Sequence, residues 1–322
     1  MSTNKKRLKL LDPMRDGKGV EKGEDTTPNL KYFFKLWGRK FWKLISLNFF
    51  MLVQILPLGI CIFLYFAGPK ISTQYDPLYT TLLGAQTALP TSEGMTLFTG
   101  AAGLLHKIPI FNSWAHWVMG GMILFHIVTY GWQKVGTTYI LRNLVRGDGV
   151  FMFSDYFYAI RRNLKQGFIM GLLDSAAIFA LVFDFIYFYN TPSTSFGDSL
   201  MYVVIFALVL IYGIMRFYTY LMLVTFNMKL GKIFKNALIF TVMGIKRNIM
   251  ALLGILLLVA ISVVAIAFLV PLKVAVVIII PFLCLFAFCG FMYTYAAYPV
   301  IQKYMIDPVQ KPKSSASSEP AQ

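Results

Sequence analysis

Charged residues are scarce in this chain, and their scarcity excludes most soluble proteins. Only 14% of the 322 residues are charged, against about 25% in an average soluble domain. Because so few polar groups cannot cover an apolar interior, a soluble enzyme and a disordered protein are both excluded. Cysteine is also rare. Cys61, Cys284 and Cys289 lie in apolar runs and form no CxxC pair, which excludes a disulfide scaffold.

Apolar sequence is what the chain has in excess. Hydrophobic residues make up 57% of it, and the mean hydropathy is +0.65. Nearly uncharged runs longer than about 18 residues indicate transmembrane helices, because a helix satisfies its own backbone hydrogen bonds in lipid. We therefore predict an all-α, polytopic membrane helix bundle with six transmembrane helices. The predicted spans are residues 44–69, 108–133, 166–189, 199–228, 248–272 and 274–302.

Basic residues predict the orientation of this bundle. Lys and Arg number 30 and Asp and Glu number 14, for a net charge of +16. Of the 30 basic residues, 26 lie in the two terminal segments and in every second loop. The alternate loops hold only Lys70, Lys107 and Lys273, and Arg216 lies inside a span. The positive-inside rule therefore predicts that both termini are cytoplasmic, and it accounts for the basic charge without a nucleic-acid partner.

The segments outside the spans differ in composition. Residues 1–30 and 306–322 are polar, which predicts disordered cytoplasmic tails. Residues 70–107 form a long outer loop that either lies on the outer surface or re-enters a protein-lined cavity. Three cytoplasmic segments have amphipathic patterns: 31–43, 154–165 and 229–247. Such helices either lie on anionic lipid headgroups or dock a cytoplasmic partner.

The first amphipathic segment carries two stripes. Basic residues recur every four positions from Lys31 to Lys43, and Phe33, Trp37 and Phe41 form a separate aromatic stripe. On a helix this spacing places a cationic stripe beside an aromatic one. The pattern is typical of a helix that lies in the membrane plane on anionic lipid.

Charges inside the spans are the candidate functional residues. Asp174 and Asp184 lie in the third span and Arg216 lies in the fourth. A charge at mid-span costs roughly 2.5–3.5 kcal/mol on insertion scales. Asp174 and Arg216 lie at similar depth, so we predict that they pair, or that they share a polar pocket with Asn48 or Gln54. A structural ion pair, a gate or ligand site, and a snorkelling arginine beside a protonated acid are all open interpretations.

Catalytic and metal-binding signatures are absent from the sequence. His106, His116 and His126 do not form a metal-ligand pair at i, i+4, and there is no Walker, GxSxG or HExxH motif. We therefore predict no enzyme activity, no cofactor and no metal. Gly167 and Gly171 open the third span in a GxxxG arrangement, which permits close helix approach.

Two stretches of the chain repeat. Ile160-Arg-Arg-Asn-Leu164 precedes the third span, and Ile245-Lys-Arg-Asn-Ile249 precedes the fifth. Tyr218-Thr-Tyr220 and Tyr293-Thr-Tyr295 lie near the cytoplasmic ends of the fourth and sixth spans. If this is a duplication, spans three and four superpose on spans five and six by rotation about the membrane normal. Chance similarity in an aromatic-rich chain is the alternative.

From Leu44 onward the chain contains several distinct short motifs. They are Leu47-Asn48, Leu56-Pro57-Leu58-Gly59, Leu144-Val-Arg-Gly-Asp148, Phe153-Ser-Asp-Tyr-Phe157, Asn163-Leu-Lys-Gln166, Asp184, Lys235-Asn-Ala-Leu238 and Arg247-Asn248. In these motifs the chain resembles the YesL-like family of bacterial integral membrane proteins. It departs from the family in its long polar N-terminus and in the 70–107 loop. The resemblance implies a bacterial plasma membrane location and a role near carbohydrate uptake, by association rather than by mechanism.

Two functions follow from these observations. The first is a non-enzymatic integral membrane protein that is an accessory to carbohydrate uptake, with a transporter as its partner and anionic headgroups around it. The alternative is a small-solute transporter or channel that uses the intramembrane charges. A polar cavity that reaches mid-membrane would favour transport, whereas a dry, apolar bundle would favour the accessory role.

Overall fold

The computed structural model describes residues 26–67, 70–72, 107–109, 113–190, 195–269 and 276–310. The helices are α1 Leu30–Ala67, α2 Ser113–Arg146, α3 Met152–Arg162, α4 Leu164–Asn190, α5 Phe196–Thr225, α6 Leu230–Met243, α7 Ile245–Leu269, α8 Val276–Ile301 and α9 Asp307–Gln310. A π-helical turn, Gln302–Ile306, joins α8 to α9. Helix therefore continues into the start of the predicted C-terminal tail.

Two short strands join the ends of the predicted outer loop. Strand β1, Lys70–Ser72, pairs antiparallel with β2, Lys107–Pro109, and Lys70 lies opposite Pro109. Residues 73–106 lie outside the described residues, as do most of the predicted tails, 1–25 and 311–322. The path of the outer loop and the disorder of the tails stay predictions.

Five helices in the described part of the chain are long and apolar enough to cross a membrane: Leu30–Tyr65, Leu164–Tyr189, Ser199–Thr225, Ile245–Phe268 and Cys284–Val309. Large apolar side chains cover their outer faces, such as Phe179 and Phe268, which are 74% and 73% exposed. In water such surfaces would be costly, whereas lipid solvates them. The chain is therefore a polytopic helical membrane bundle, as predicted.

The helix that carries the predicted second span is α2, and it is not among these five. Its N-terminal half is rich in Trp and His, including Trp114, His116 and Trp117, which makes it less apolar than the other spans. The predicted span ends at residue 133, but α2 continues to Arg146. Arg142 is only 8% exposed, and its Nη1 donates to Val224 O at 2.8 Å. The residues before Gly147 are therefore part of the bundle rather than of a loop.

Helix α1 is one continuous helix, so the prediction of a separate in-plane helix over 31–43 is wrong. Its aromatic stripe packs against α8 instead of facing lipid. Phe33 lies 5.5 Å from Phe291, and Trp37 lies 5.1 Å from Phe288, between ring centroids. Phe41 approaches the same Phe288 ring at 5.6 Å. Aromatic pairs of this geometry stabilise helix contacts beyond their buried area.

The chain divides into two compact units. Residues 1–51 and 131–322 form one, and residues 52–130 form the other. In the first unit α4 packs on α5, α5 on α6 and α8, and α7 on α8. Its core includes fully buried Leu36, Leu47 and Phe291.

Two short helices of the first unit each run into a span through a one-residue break. Asn163 separates α3 from α4, and Gly244 separates α6 from α7. The Asp155 carboxylate accepts a hydrogen bond from the backbone N–H of Phe151 at 2.8 Å, which satisfies a donor at the start of α3. The second and third amphipathic segments are therefore helical, as their patterns indicate.

Candidate intramembrane polar site

Asp174 is a buried carboxylate in the N-terminal half of α4. Its side chain is almost fully enclosed, with the residue 2% exposed. The Tyr212 hydroxyl donates to Oδ1 at 2.8 Å, and the Tyr220 hydroxyl donates to Oδ2 at 3.0 Å. Hydrogen bonds to a charged acceptor are about twice as strong as neutral ones. Both oxygens of the carboxylate are thus satisfied from α5.

Arg216 completes this arrangement from the same helix. Its Nη2 donates to Asp174 Oδ2 at 3.1 Å, and its Nε lies 2.8 Å from Oδ1. The guanidinium therefore approaches both carboxylate oxygens, a geometry that suits the planar fork of arginine. The Asp174 side chain is 3% exposed and that of Arg216 is 28% exposed. The structure thus brings these two sequence-predicted residues together across α4 and α5.

The spacing of residues on α5 explains this convergence. Tyr212, Arg216 and Tyr220 are four residues apart, so they lie one above another on a single helix face. The middle residue faces Asp174, and the tyrosines reach it from above and below. Neither tyrosine is among the residues predicted from the sequence, although the i, i+4, i+8 spacing around Arg216 is the signal that identifies them.

A second basic side chain stands near this pair. Lys134, on α2, interacts electrostatically with both Arg216 and Asp174. The sequence-based topology assigns Lys134 to a cytoplasmic loop, because the uncharged run ends at the residue before it. The cluster therefore holds two basic side chains and one carboxylate. We name Lys134, Asp174, Tyr212, Arg216 and Tyr220 the Asp174 cluster.

Asn48 lies elsewhere in the bundle. It is fully buried on α1, and its Oδ1 accepts a hydrogen bond from the backbone N–H of Ala287 at 3.0 Å. That bond ties α1 to α8, because a buried amide left without a partner would be costly. Asn48 is therefore a contact between helices, and it does not join the Asp174 cluster.

Gln54 belongs to the second unit, and Asp184 does not join the cluster. Within the second unit, Gln54 Nε2 donates to His126 O at 3.1 Å and lies 3.1 Å from the His126 ring Nδ1. That pairing links α1 to α2, as expected for a histidine that bridges helices. Asp184 is partly exposed, ten residues beyond Asp174 on α4, which is about 15 Å along the axis. Of the five candidate residues, the structure joins only Asp174 and Arg216.

The first unit contains two cavities of note. A groove of about 490 Å³ lies between α1, α7 and α8 and is lined mainly by apolar side chains; we name it the α1–α7–α8 groove. A polar cavity of about 320 Å³ lies where α3 meets α4 and where α5 ends, and its lining includes Arg162, Lys165, Gln166 and Asn227; we name it the α3–α4–α5 notch. Neither Asp174 nor Arg216 lines either cavity.

Comparison with known proteins adds no relative. No protein-family model, curated protein or solved structure matches the chain. The resemblance to the YesL-like family therefore stays a prediction. Within the described part of the chain, no group of three or more His, Cys, Asp or Glu side chains is arranged to hold a metal ion.

Proposed function

We propose that this chain is a non-enzymatic accessory protein of the bacterial plasma membrane and that its partner is a transporter for carbohydrate uptake. The observation that carries the proposal is that the Asp174 carboxylate accepts hydrogen bonds from Tyr212 and Tyr220 and forms an ion pair with Arg216. A carboxylate satisfied in this way holds two helices in register. A transport site requires charged groups that a solute can contact, whereas both oxygens of Asp174 already accept hydrogen bonds and its side chain is only 3% exposed.

The cavities of the first unit also support an accessory role. The α1–α7–α8 groove is apolar, and the α3–α4–α5 notch lies at the ends of helices. If the chain transported a solute, we would expect a polar cavity lined by the Asp174 cluster. The carbohydrate part of the proposal rests on the family resemblance alone.

Cationic helices suit the docking of a partner. Arg161 and Arg162 are exposed on α3, and Lys232 and Lys235 are exposed on α6. Tyr156 anchors α3 to the bundle, and burial raises its pKa to about 12, so its hydroxyl stays neutral. These basic faces complement acidic surfaces of a transporter or anionic headgroups.

We further infer six spans, with α2 as the second and both termini in the cytoplasm. The support for this topology is the distribution of basic residues, 26 on one side against three on the other. The basic helices α3 and α6 then lie on the cytoplasmic side, where a soluble domain or ATPase of a transporter would meet them.

Crosslinking followed by purification from native membranes tests the accessory role. We expect a carbohydrate transporter to be recovered at a fixed ratio to the chain. The Lys232→Glu, Lys235→Glu double variant should reduce that ratio, because it reverses the charge of α6. The Lys232→Arg, Lys235→Arg double variant is the matched control and should preserve it. Recovery of the chain alone, with every variant at its normal level in the membrane, would contradict the proposal.

One observation favours a second candidate function. Lys134 adds a second basic residue to a cluster with one carboxylate, and ionisable side chains inside a membrane mark ion pathways. Reconstitution in liposomes loaded with chloride or inorganic phosphate separates the two functions. The accessory role predicts efflux no faster than from protein-free liposomes. Faster efflux that the Lys134→Gln substitution abolishes would contradict the accessory role and would support anion transport.

A further inference from the structure

The α1–α7–α8 groove has the length and shape of a lipid chain. Its wall on α7 runs from Arg247 through Gly254 to Ile261, which is about 21 Å at 1.5 Å per residue. The hydrocarbon core of a bilayer is about 30 Å thick. The groove therefore extends from the helix start that carries Arg247 to beyond the middle of the membrane.

The interior of the groove is apolar along this length. Phe33, Phe288 and Ala251 form its closed floor, and each is less than 9% exposed. Leu257 and Ile261, which are 63% and 57% exposed, stand at the open side. An elongated apolar slot that opens sideways accommodates a hydrocarbon chain, because the chain enters from the bilayer without crossing water.

Gly254 gives the groove its depth at the centre. A Cβ at this position would lie 3.5 Å from the Met292 Sδ, so any larger side chain would occupy the space between α7 and α8. The side chains one turn away, Met250 and Leu258, line the groove on either side of this gap. The groove is therefore deepest where α7 presents bare backbone.

The other end of the groove is basic. Arg247 Nη2 donates to the carbonyl oxygen of Pro28 at 3.3 Å, which uses one of the five N–H donors of the guanidinium. Lys246 lies beside it in sequence and is exposed, as is Lys31 at the start of α1. Basic pockets between helices on the cytoplasmic side of a membrane are where anionic lipid headgroups bind.

We propose that this groove binds one acyl chain of an anionic phospholipid, whose phosphate group contacts Arg247. The basic end and the apolar length together match a molecule that is anionic at one end and hydrocarbon along the rest. An apolar transmembrane helix would match only the apolar length of the groove, because it carries no anionic group to pair with Arg247. The proposal does not depend on the accessory role.

Native mass spectrometry of the purified full chain tests the site, with dioleoyl phosphatidylglycerol and dioleoyl phosphatidylcholine as probes. The wild-type chain should retain one phosphatidylglycerol more tightly than any further lipid. Gly254→Phe should fill the groove and weaken that binding at least tenfold. Gly213→Phe is the matched control, because Gly213 lies in a span and, in the described part of the chain, no atom beyond its own helix backbone and chain neighbours lies within 4 Å of the position that a Cβ would take there. It should bind as the wild type does.

Arg247→Gln tests the headgroup contact separately. Because this variant leaves the groove open, it also tests the site if the Gly254→Phe variant fails to fold. We expect it to reduce the preference for phosphatidylglycerol over phosphatidylcholine about fivefold, the effect of one basic residue near an anionic surface. Equal retention by the wild type, Gly254→Phe and Arg247→Gln would overturn the proposal. A dimer that the Gly254→Phe substitution dissociates would also overturn it, since the groove would then hold a second copy of the chain.

Discussion

At the level of single residues, Asp174 shows how a carboxylate is retained inside an apolar bundle. A mid-span charge costs roughly 2.5–3.5 kcal/mol on insertion scales. Arg216 and two tyrosine hydroxyls offset this cost by donating to the same carboxylate. Each donor is itself buried or half-buried. Removal of any one donor therefore leaves the Asp174 carboxylate with fewer hydrogen bonds.

The tyrosine hydroxyls should contribute measurably to stability. We expect Tyr220→Phe to lower the free energy of unfolding by about 1.5–3 kcal/mol, the usual range for a hydrogen bond to a charged group. Chemical unfolding in detergent micelles measures the change. Tyr189→Phe, at a position on α4 that is 70% exposed, is the matched control and should have little effect. Equal effects from both substitutions would mean that the Tyr220 bond contributes nothing specific.

The candidate site was predictable only in part, for a geometric reason. Axial depth follows from counting residues along a helix, and it correctly suggested that Asp174 and Arg216 can meet. The direction in which a helix faces its neighbours does not follow from one sequence. Asn48 and Gln54 were therefore candidates from the sequence, but each binds another partner. Lys134 was missed because the end of an uncharged run was taken as the end of a span.

At the level of helices, close backbone contact joins α2 to α4. A Cβ at Gly131 would lie 2.8 Å from the Gly171 Cα and would also collide with the Gly167 carbonyl oxygen. The two glycines of the GxxxG arrangement therefore face a third glycine, which lets the helices approach closely. The sequence indicated the capacity for such a contact but not the helix that makes it.

This contact gives a sharp prediction. Gly131→Ala should destabilise the chain by about 1–3 kcal/mol or more, because α2 and α4 must separate to admit the methyl group. Gly120→Ala is the control and should be neutral or slightly stabilising, since it lies on the same helix and nothing lies within 4 Å of the position that a Cβ would take. Thermal unfolding of both variants in one detergent compares them. A Gly131→Ala variant as stable as the control would show that the helices do not touch there.

Helix ends were the least predictable elements, and α1 illustrates why. From Lys31 to Leu56 there is no proline, and Gly38 is the only glycine, so nothing in the sequence ends the helix. The amphipathic pattern of 31–43 was real, but its aromatic stripe is covered by α8. A pattern of this kind identifies an apolar face without identifying whether lipid or protein covers it.

At the level of the whole molecule, the order of elements repeats. A short helix, a one-residue break and two long helices occur as α3–α4–α5 and again as α6–α7–α8. The sequence echo is out of register with this order, since Asn163 lies at the first break whereas Asn248 lies four residues after the second break, at Gly244. The duplication therefore stays a prediction, and superposition of the two halves about an axis along the membrane normal tests it.

The topology is testable with reporter fusions. Alkaline phosphatase is active only outside the cytoplasm, so a fusion at the C-terminus should be inactive and a fusion after Thr91 should be active. A green fluorescent protein fusion at each position is the reciprocal control, since it fluoresces only when folded in the cytoplasm. The opposite pattern at both positions would invert the orientation that the charge count predicts.

We expect the Asp174–Arg216 pair to hold α4 and α5 together in the bundle. Charge reversal across the pair tests this expectation most directly. The measurement is the fraction of folded, monodisperse protein and its Tm in detergent for the single and double variants. Asp174→Ala and Arg216→Ala should each destabilise the chain by about 3 kcal/mol, the lower end of the range for breaking a buried pair, because Arg216 is partly exposed. The single reversals Asp174→Arg and Arg216→Asp should destabilise the chain at least as much, because each places two like charges together, and the double variant Asp174→Arg, Arg216→Asp should recover part of that loss. A double variant no more stable than Asp174→Arg or Arg216→Asp alone would contradict this expectation.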